Sequence, residues 1–247
     1  MNIEDNKINL LMLDTSTSVC SVAISSDTEI LESRVLKPEK AQHAAILPPI
    51  VDELLKEIKQ KGIKLSAVVI SSGPGSYTGL RIGSSLAKGL AHGLGLPLIA
   101  ISTLEMMARG YSKEYNLSEE DTNIRLMPMI DARRMEVYTA LYNVKGQELA
   151  QEEAMILTEE ALPYSDLETM EVHLFGNGSE KCIGLWDKQM DSKQIIIKED
   201  FLPKAADMLE LALEAYKTKD FVDLAYWTPN YLKDYVAKIA KNKVLGI

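Results

Sequence analysis

A pattern of buried strand, aspartate, polar turn and second strand occurs twice in the chain, and it limits the folds that the chain can adopt. In the first copy, apolar residues 10–13 precede Asp14 and a polar turn. In the second copy, residues 125–130 precede Asp131 and an alternating strand at 135–142. Continuous apolar runs are typical of strands buried on both faces. We interpret the repeat as two related α/β halves that face one another, with a coincidence of two short patterns as the alternative.

Helical periodicity follows the strands in each half. The predicted helices cover residues 41–58, 79–92, 103–115 and 204–216. These elements predict a first half at residues 1–104 and a second half at residues 105–219. Thr228 and Pro229 have the pattern of a helix cap followed by a first-turn proline. We therefore expect a C-terminal helix at about 220–247 that packs back on the first half.

The composition is that of an ordinary globular protein. The chain has 247 residues, 46% hydrophobic and 26% charged, enough for one or two domains at roughly 150 residues each. The net charge of −9 excludes a basic surface that grips nucleic acid over the whole fold. Cys20 and Cys182 have no metal-ligand or disulfide spacing, which suits a reducing compartment. Because we find neither a signal-peptide pattern nor an apolar run near the ~20 residues of a membrane span, we expect a cytoplasmic protein.

A glycine-rich turn between a strand and a helix is the most distinctive segment. Residues 71–83 have the sequence SSGPGSYTGLRIG. Glycines in such a turn let backbone N–H groups approach an anion. Thr78 stands where a dinucleotide fingerprint needs its third glycine, and no Walker lysine follows. Ser76 is one place early for a nucleophile elbow. The turn indicates either an anion site or a tight strand-to-helix crossing, and both interpretations stay open.

The helix after this turn carries small residues at intervals of four. One ridge consists of Gly79, Gly83, Ala87 and Ala91, and a second consists of Ser85, Gly89 and Gly93. Glycine inside a helix costs about 0.5–1 kcal/mol relative to alanine, so repeated glycines indicate that another element packs closely on this helix. That element belongs either to the same chain or to a second subunit.

Two motifs carry a resemblance to a known family. Residues 71–83 and the segment 130–138, with the sequence IDARRMEVY, resemble the TsaB (YeaZ) family, and residues 10–23, 97–105 and 229–232 fit it as well. This family supplies the partner subunit of TsaD in bacterial threonylcarbamoyladenosine synthesis on tRNA. The resemblance implies the actin-like ATPase (ASKHA) fold of actin, Hsp70 and sugar kinases. That fold has two α/β halves, with mixed sheets flanked by helices and a nucleotide cleft between them, in agreement with the repeat.

The resemblance also implies where a nucleotide would contact the fold. In catalytic relatives the first acid and its turn contact phosphate or metal, and two later turns face the nucleotide. The candidate nucleotide- or phosphate-binding residues are Asp14, Thr15, Ser16, Gly73, Gly75, Ser76, Thr78, Asp131, Arg133, Gly176 and Gly178. These residues form either a working site or a relic that now only shapes the fold. We expect no required cofactor, and the resemblance leaves room for ATP or ADP in the cleft or at a complex interface.

The chain lacks the metal ligands that the resemblance assigns to the catalytic paralogue. TsaD holds a metal with two histidines four residues apart, and Thr103 and Met107 stand at the matching positions. Threonine is a poor ligand and a thioether suits soft metals, so we expect no iron or zinc site and no catalytic residue. No His-Glu-x-x-His motif occurs either. The glycoprotease-like label of the wider family therefore does not predict protease activity.

These features together predict a non-catalytic scaffold subunit that pairs directly with TsaD. The complex would transfer the threonylcarbamoyl group from threonylcarbamoyl-AMP to the anticodon-adjacent adenosine of tRNAs that read ANN codons, with TsaE as a further member and TsaC as the source of the adenylate. In this family the two helices predicted at 41–58 and 79–92 build the interface, and the same surface can form a homodimer in isolation. The predicted interface residues are Leu47, Val51, Leu54, Gly79, Arg81, Gly83, Leu86, Ala87, Leu90 and Ala91. We expect a bulky residue at Gly83 or Ala87 to abolish pairing and leave the fold intact.

Contact with tRNA is expected only through the complex, and no contact with a membrane is expected. The tail carries the lysines Lys233, Lys238, Lys241 and Lys243. A solvated helix face is the default interpretation of such a run, and phosphate contact within an assembly is the secondary hypothesis. Two alternatives to the scaffold stay open: an active small-molecule kinase or ATPase with Asp14 and Asp131 around a magnesium nucleotide, and a homodimeric module that binds nucleotide.

Overall fold

Two mixed five-stranded sheets form the framework of the protein. The computed structural model describes residues 7–37, 42–159, 167, 169–186 and 194–233. The strands of the first sheet are β1 (Asn9–Asp14), β2 (Cys20–Ser26), β3 (Glu29–Leu36), β4 (Ala67–Ser71) and β5 (Leu98–Ile101). The strands of the second sheet are β6 (Ile124–Asp131), β7 (Glu136–Tyr142), β8 (Glu148–Ile156), β9 (Glu171–Phe175) and β10 (Ile195–Lys198).

The two sheets have the same topology. Their strand orders are β3-β2-β1-β4-β5 and β8-β7-β6-β9-β10. In each sheet the first three strands of the chain pair antiparallel, and the last two add in parallel on the other side of the first strand. The interpretation of the sequence as two related α/β halves with mixed sheets is confirmed, and coincidence of the two strand–aspartate patterns is excluded.

Helices cover both faces of the first sheet. They are α1 (His43–Gln60), α2 (Tyr77–Leu94), α3 (Thr103–Glu114) and α4 (Leu209–Thr218), with short 3-10 helices at Ser179–Cys182 and Ala205–Met208. Leu11 and Leu13 of β1 pack with α1 and α2, whereas Leu10 and Met12 pack with α4. Because successive side chains of a strand point to opposite faces, this burial explains the unbroken apolar run in β1.

The C-terminal elements pack differently from the prediction made from the sequence. Residues 204–216 were assigned to the second half, but Met208 and Ala212 join the core of the first sheet. Residues 220–233 contain no helix, although Val222 and Trp227 pack on the first half. The rest of the predicted C-terminal helix, from residue 234, lies outside the described residues. The division at residue 104 stays a prediction.

Strand β8 has no counterpart among the strands predicted from the sequence. Its sequence, ELAQEEAMI, is rich in charge because β8 is an edge strand whose residues are mostly exposed or half-buried. Such a strand lacks the apolar run or clean alternation that identifies strands in a sequence. In the described part of the chain, no helix combines the length and the apolar character needed to cross a bilayer.

The first ridge of small residues on α2 faces inward. A Cβ atom at Gly79 or Gly83 would overlap Thr15 in the turn after β1. The buried members of the predicted interface are Leu47, Val51, Leu54, Gly79, Gly83, Ala87 and Ala91. The interface prediction therefore needs correction, because these residues pack α1 and α2 inside the monomer. The other predicted members, Arg81, Leu86 and Leu90, keep part of their surface exposed.

The two ridges of α2 should respond in opposite ways to an added methyl group. Gly83→Ala would push a methyl into the Thr15 hydroxyl, and overpacking of this kind typically costs about 1–3 kcal/mol in the free energy of unfolding. Gly89→Ala meets no atom within 4 Å and should stabilise the helix by about 0.5–1 kcal/mol. Urea denaturation of both variants measures the difference. Equal stability of the two variants would contradict the inward assignment of Gly83.

Candidate functional site

The aspartates predicted from the repeat occupy equivalent places in the two halves. Asp14 ends β1 and Asp131 ends β6. In each case the carboxylate accepts a hydrogen bond from the backbone N–H two residues later, at 3.0 Å from Ser16 N to Asp14 Oδ1 and at 2.7 Å from Arg133 N to Asp131 Oδ1. The structure thus places both predicted acidic turns at the carboxyl end of the first strand of a sheet, with the same hydrogen bond to the aspartate from the backbone N–H two residues later.

The chain itself fills the space around the first turn. Asp14, Thr15 and Ser16 are fully buried. Ser76 N donates to Ser16 O at 2.6 Å, and the Thr15 hydroxyl donates to Gly79 O at 2.8 Å. A Cβ at Gly75 would overlap the Ser16 carbonyl, so glycine is required for this close approach. Of the two interpretations of the glycine-rich turn, the geometry favours the tight crossing.

The start of α2 also satisfies its own donors. The Ser76 side chain caps the helix by accepting from Gly79 N at 3.3 Å, and Leu80 N bonds to Ser76 O. Ser76 and Thr78 are exposed, whereas Gly73 and Gly79 are buried. Ser76 N, Gly79 N and Leu80 N therefore already have partners within the chain, which reduces the number of donors that this helix end offers to a phosphate group.

A small polar cluster is sealed beneath the turn. Asp14 Oδ2 and the hydroxyls of Ser16 and Ser71 are buried without a hydrogen bond of ordinary geometry. Burial raises the pKa of Asp14, and the nearby hydroxyls of Ser71 and Ser16 offset part of that rise. Mg²⁺ prefers charged carboxylates with room for water ligands. Asp14 and Ser16 are fully buried beneath residues 75–76, which leaves no room there for those water ligands, so the closed turn does not fit a magnesium nucleotide.

The second aspartate turn is exposed to solvent, and the carboxylate of Asp131 already has a partner. Asp131 is exposed, and Lys181 Nζ lies 2.5 Å from its Oδ1 while also donating to Glu136 O at 2.8 Å. Asp131 N donates to Asn177 Oδ1 at 3.0 Å. Arg133 is exposed and has a left-handed backbone with φ of 68°. The charge of Asp131 therefore fixes this turn to the neighbouring glycine turn of the second half.

The two glycines predicted near the second turn have packing roles. Gly176 has φ of +104°, and a Cβ there would lie 2.5 Å from Met129 O. A Cβ at Gly178 would lie 3.0 Å from the carbonyl carbon of Ile130. Both glycines therefore allow the turn after β9 to lie directly on β6.

Thr103 and Met107, the two residues predicted to replace metal ligands, contact both halves of the protein. Thr103 Oγ1 accepts from Gly73 N at 3.2 Å, and Thr103 N donates to Gly73 O at 2.9 Å. Met107 is fully buried, and its methyl group packs beside Gly176. One turn of α3 thus contacts a glycine turn of each half. These side chains do not fit an iron or zinc site, and among the residues that the structure describes no group of three or more His, Cys, Asp or Glu could hold a metal.

A cavity between the start of α3, β8 and α4 lies away from the predicted residues. It has a volume of about 560 Å³, and its lining includes Ser102, Glu105, Arg109, Glu148 and Glu152. Burial raises the pKa values of Glu105 and Glu152. The sequence did not indicate this cavity, because about a third of its lining belongs to β8 and the hairpin before it, and β8 was not predicted.

A second cavity, of about 310 Å³, lies on the first turns of α2. It is lined by Tyr77, Thr78, Arg81 and Ile82, two of which were predicted site residues. The Arg81 guanidinium lies 4.1 Å from the centre of the Tyr77 ring. This stacking fixes a positive charge on the exposed side of the helix.

The duplicated sheets, with an aspartate turn at the end of each first strand, define an α/β protein built from two mixed sheets of the same topology. Residues 21–241 match the model of the family described as TsaD: tRNA N6-adenosine threonylcarbamoyltransferase. The TsaB protein of Escherichia coli K12, named as a tRNA threonylcarbamoyladenosine biosynthesis protein, is 30% identical over 234 residues, which cover 93% of this chain and 96% of the relative. The TsaB protein of Bacillus subtilis is 35% identical over 144 residues, 58% of this chain and 59% of the relative.

A solved structure agrees with these sequence matches. YeaZ from Pseudomonas aeruginosa superposes with a TM-score of 0.74 at 30% identity, over 91% of this chain and the whole of that chain. The chain belongs to the TsaB family, within the wider family that the TsaD model describes. The resemblance inferred from residues 71–83 and 130–138 is confirmed.

One half-buried acid near the first sheet has a strongly altered affinity for protons. Asp207 lies in the short helix before α4, against Gly110 of α3, and accepts from Lys204 N at 3.1 Å. Burial raises the pKa of Asp207 from 3.8 to about 7, despite the favourable charge of Lys204. The folded state therefore holds this proton more tightly than the unfolded state does.

Asp207→Asn should change how stability depends on pH. A carboxyl with a raised pKa in the folded state stabilises the fold while it is protonated, and this contribution falls as pH rises from about 4 to about 7. The amide keeps an oxygen for Lys204 N and does not ionise. The free energy of unfolding of the variant, minus that of the wild type, should therefore increase over this pH range. A difference that stays constant in urea titrations across the range would contradict the raised pKa.

Proposed function

We propose that this chain is the non-catalytic subunit that pairs with TsaD in tRNA threonylcarbamoyladenosine biosynthesis. Membership of the TsaB family supports the pathway. The observation that carries the non-catalytic role is the use of Thr103 and Met107 as packing groups between two glycine turns. Positions that hold a metal in the paralogue serve here to hold the fold.

The reaction follows from the family. We propose that the complex transfers the threonylcarbamoyl group from threonylcarbamoyl-AMP to the adenosine beside the anticodon of tRNAs that read ANN codons. TsaC would supply the adenylate, and TsaE would be a further member of the complex. We place this activity in the cytoplasm, with tRNA contacted through the assembled complex. Lys233 of the basic tail pairs with Glu136, and Lys238, Lys241 and Lys243 lie outside the described residues.

The outward side of α2 is the surface that we propose for the partner. Ser85, Gly89 and Gly93 form its exposed ridge, and a Cβ at either glycine would meet no atom within 4 Å. Leu86 and Leu90 flank the ridge and are half-buried. Small residues between apolar side chains allow a second helix to approach closely. The outer side of α1 continues this surface, which would serve a homodimer in isolation and TsaD in the complex.

The proposal requires no cofactor in this chain. ATP or ADP at the first acidic turn would have to displace Gly75 and Ser76 from Ser16, because these residues fill the space above it. The interface with TsaD is therefore the better place for a nucleotide that touches this chain.

Reconstitution tests the role directly. With TsaC, TsaD, TsaE, ATP, threonine, bicarbonate and an ANN-reading tRNA, we expect modified adenosine to form when this chain is present and to fall at least about tenfold when it is left out, because TsaD lacks its partner. Nucleoside analysis by mass spectrometry measures the product. Formation of product by this chain with TsaC and tRNA alone would overturn the non-catalytic role.

A bulky residue on the outward ridge should weaken pairing and leave folding unaffected. Ser85→Trp projects from the exposed side of α2 and should weaken association with TsaD and with itself at least about tenfold through steric clash, with the thermal midpoint nearly unchanged. Glu210→Trp, on the exposed side of α4, is the matched control and should bind normally. Light scattering and pull-down with TsaD measure both variants. Normal association of the Ser85 variant would show that α2 is not part of the interface.

A further inference from the structure

The tail of the described chain lies across the first half at the end of β4. Asn230 N donates to Ser72 O at 2.7 Å. A Cβ at Gly73 would lie 2.7 Å from Asn230 O, so the tail backbone sits directly on this glycine. The rings of Tyr231 and Tyr77 have centroids 4.9 Å apart. The tail is therefore held by backbone, side chain and aromatic contacts at one edge of the first sheet.

The same few residues also contact the second half. Asn230 Nδ2 donates to Glu152 Oε2 of β8 at 2.8 Å. The Ser102 hydroxyl, at the start of α3, donates to the other oxygen of Glu152. Lys233 forms an ion pair with Glu136 of β7. The Glu152 carboxylate thus joins the tail to the connection between the halves.

The tail covers the carboxyl end of a parallel strand, which is where α/β proteins commonly bind ligands. Ser72 and Gly73 follow the carboxyl end of β4, which runs parallel to β1 and β5. Open α/β sheets bind ligands outside the carboxyl ends of their parallel strands. In this chain the peptide of Asn230 occupies that place next to Gly73.

We propose that residues 229–233 are a strap that closes this edge, with the Asn230–Glu152 hydrogen bond as its releasable clasp. Asn230 is exposed, and its bonds to the two halves are polar. Release of the clasp leaves the Lys233–Glu136 ion pair to join the tail to the second half and lets the Asn230 peptide move away from Gly73. A partner that competes for Glu152 or for Asn230 would open the edge. This device does not depend on the proposed pairing with TsaD.

Swapping the amide and the carboxylate between positions 230 and 152 tests the clasp on the full chain. Asn230→Asp keeps the shape of the side chain but places a carboxylate against Glu152, so the strap should open. Adding Glu152→Gln restores one amide facing one carboxylate, because Gln can accept from Ser102 and donate to the new aspartate. Hydrogen–deuterium exchange of peptides that contain residues 72–76 and 229–233 reports the opening. Tyr226→Ala changes an exposed tail residue and is the matched control.

The results expected are specific to these peptides. Asn230→Asp should speed exchange in both by at least about tenfold, and the double variant should return to within about threefold of the wild type. The control should exchange like the wild type. Fast exchange in the double variant, acceleration throughout the chain, or no change in the single variant would each overturn the clasp.

Discussion

The close seating of α2 on the turn after β1 is the contact on which the rest of the first half depends. Gly75, Gly79 and Gly83 remove the Cβ atoms that would collide with Thr15 and Ser16. This approach brings Thr15 within hydrogen-bonding distance of Gly79 O and closes the space above Asp14. The cost of glycine in a helix is offset by packing against a turn that no larger residue would allow.

The same contact closes the first aspartate turn against the glycine-rich turn. Ser76 N bonds to Ser16 O, and Gly79 N and Leu80 N bond to Ser76, so the chain itself satisfies these donors. Thr103 and Met107 extend this principle to the junction of the halves, where each side chain meets a glycine turn. A protein built in this way offers rigid surfaces to a partner.

The sequence predicted the architecture well and the orientation of side chains poorly. Apolar runs ending at Asp14 and Asp131 were sufficient for two related halves, because a buried strand needs an unbroken apolar sequence. The spacing of small residues on α2 predicted close packing. It left the occupant open, and the choice of a partner was wrong for Gly83 and Ala87. Periodicity identifies a face of a helix, and only the tertiary structure shows what covers that face.

The parts that escaped prediction share a physical cause. Strand β8 is a charged edge strand, and the tail at 229–233 is held by a few hydrogen bonds, an ion pair and one aromatic contact, so neither has a repeating apolar pattern in the sequence. Glu152 belongs to both of these regions, since it lies on β8 and its carboxylate accepts a hydrogen bond from Asn230 of the tail. The acid-lined cavity beside it was missed for the same reason.

The placement of charge on β3 and β8 also restricts how copies of the chain can aggregate. Both are edge strands, with backbone groups available to another chain. Glu32 and Arg34 on β3, and Glu148 and Glu153 on β8, place charges along these rows. Charged side chains on an exposed edge oppose the growth of a continuous sheet between molecules. The same charges that keep β3 and β8 in contact with water thus disfavour strand addition between copies of the chain.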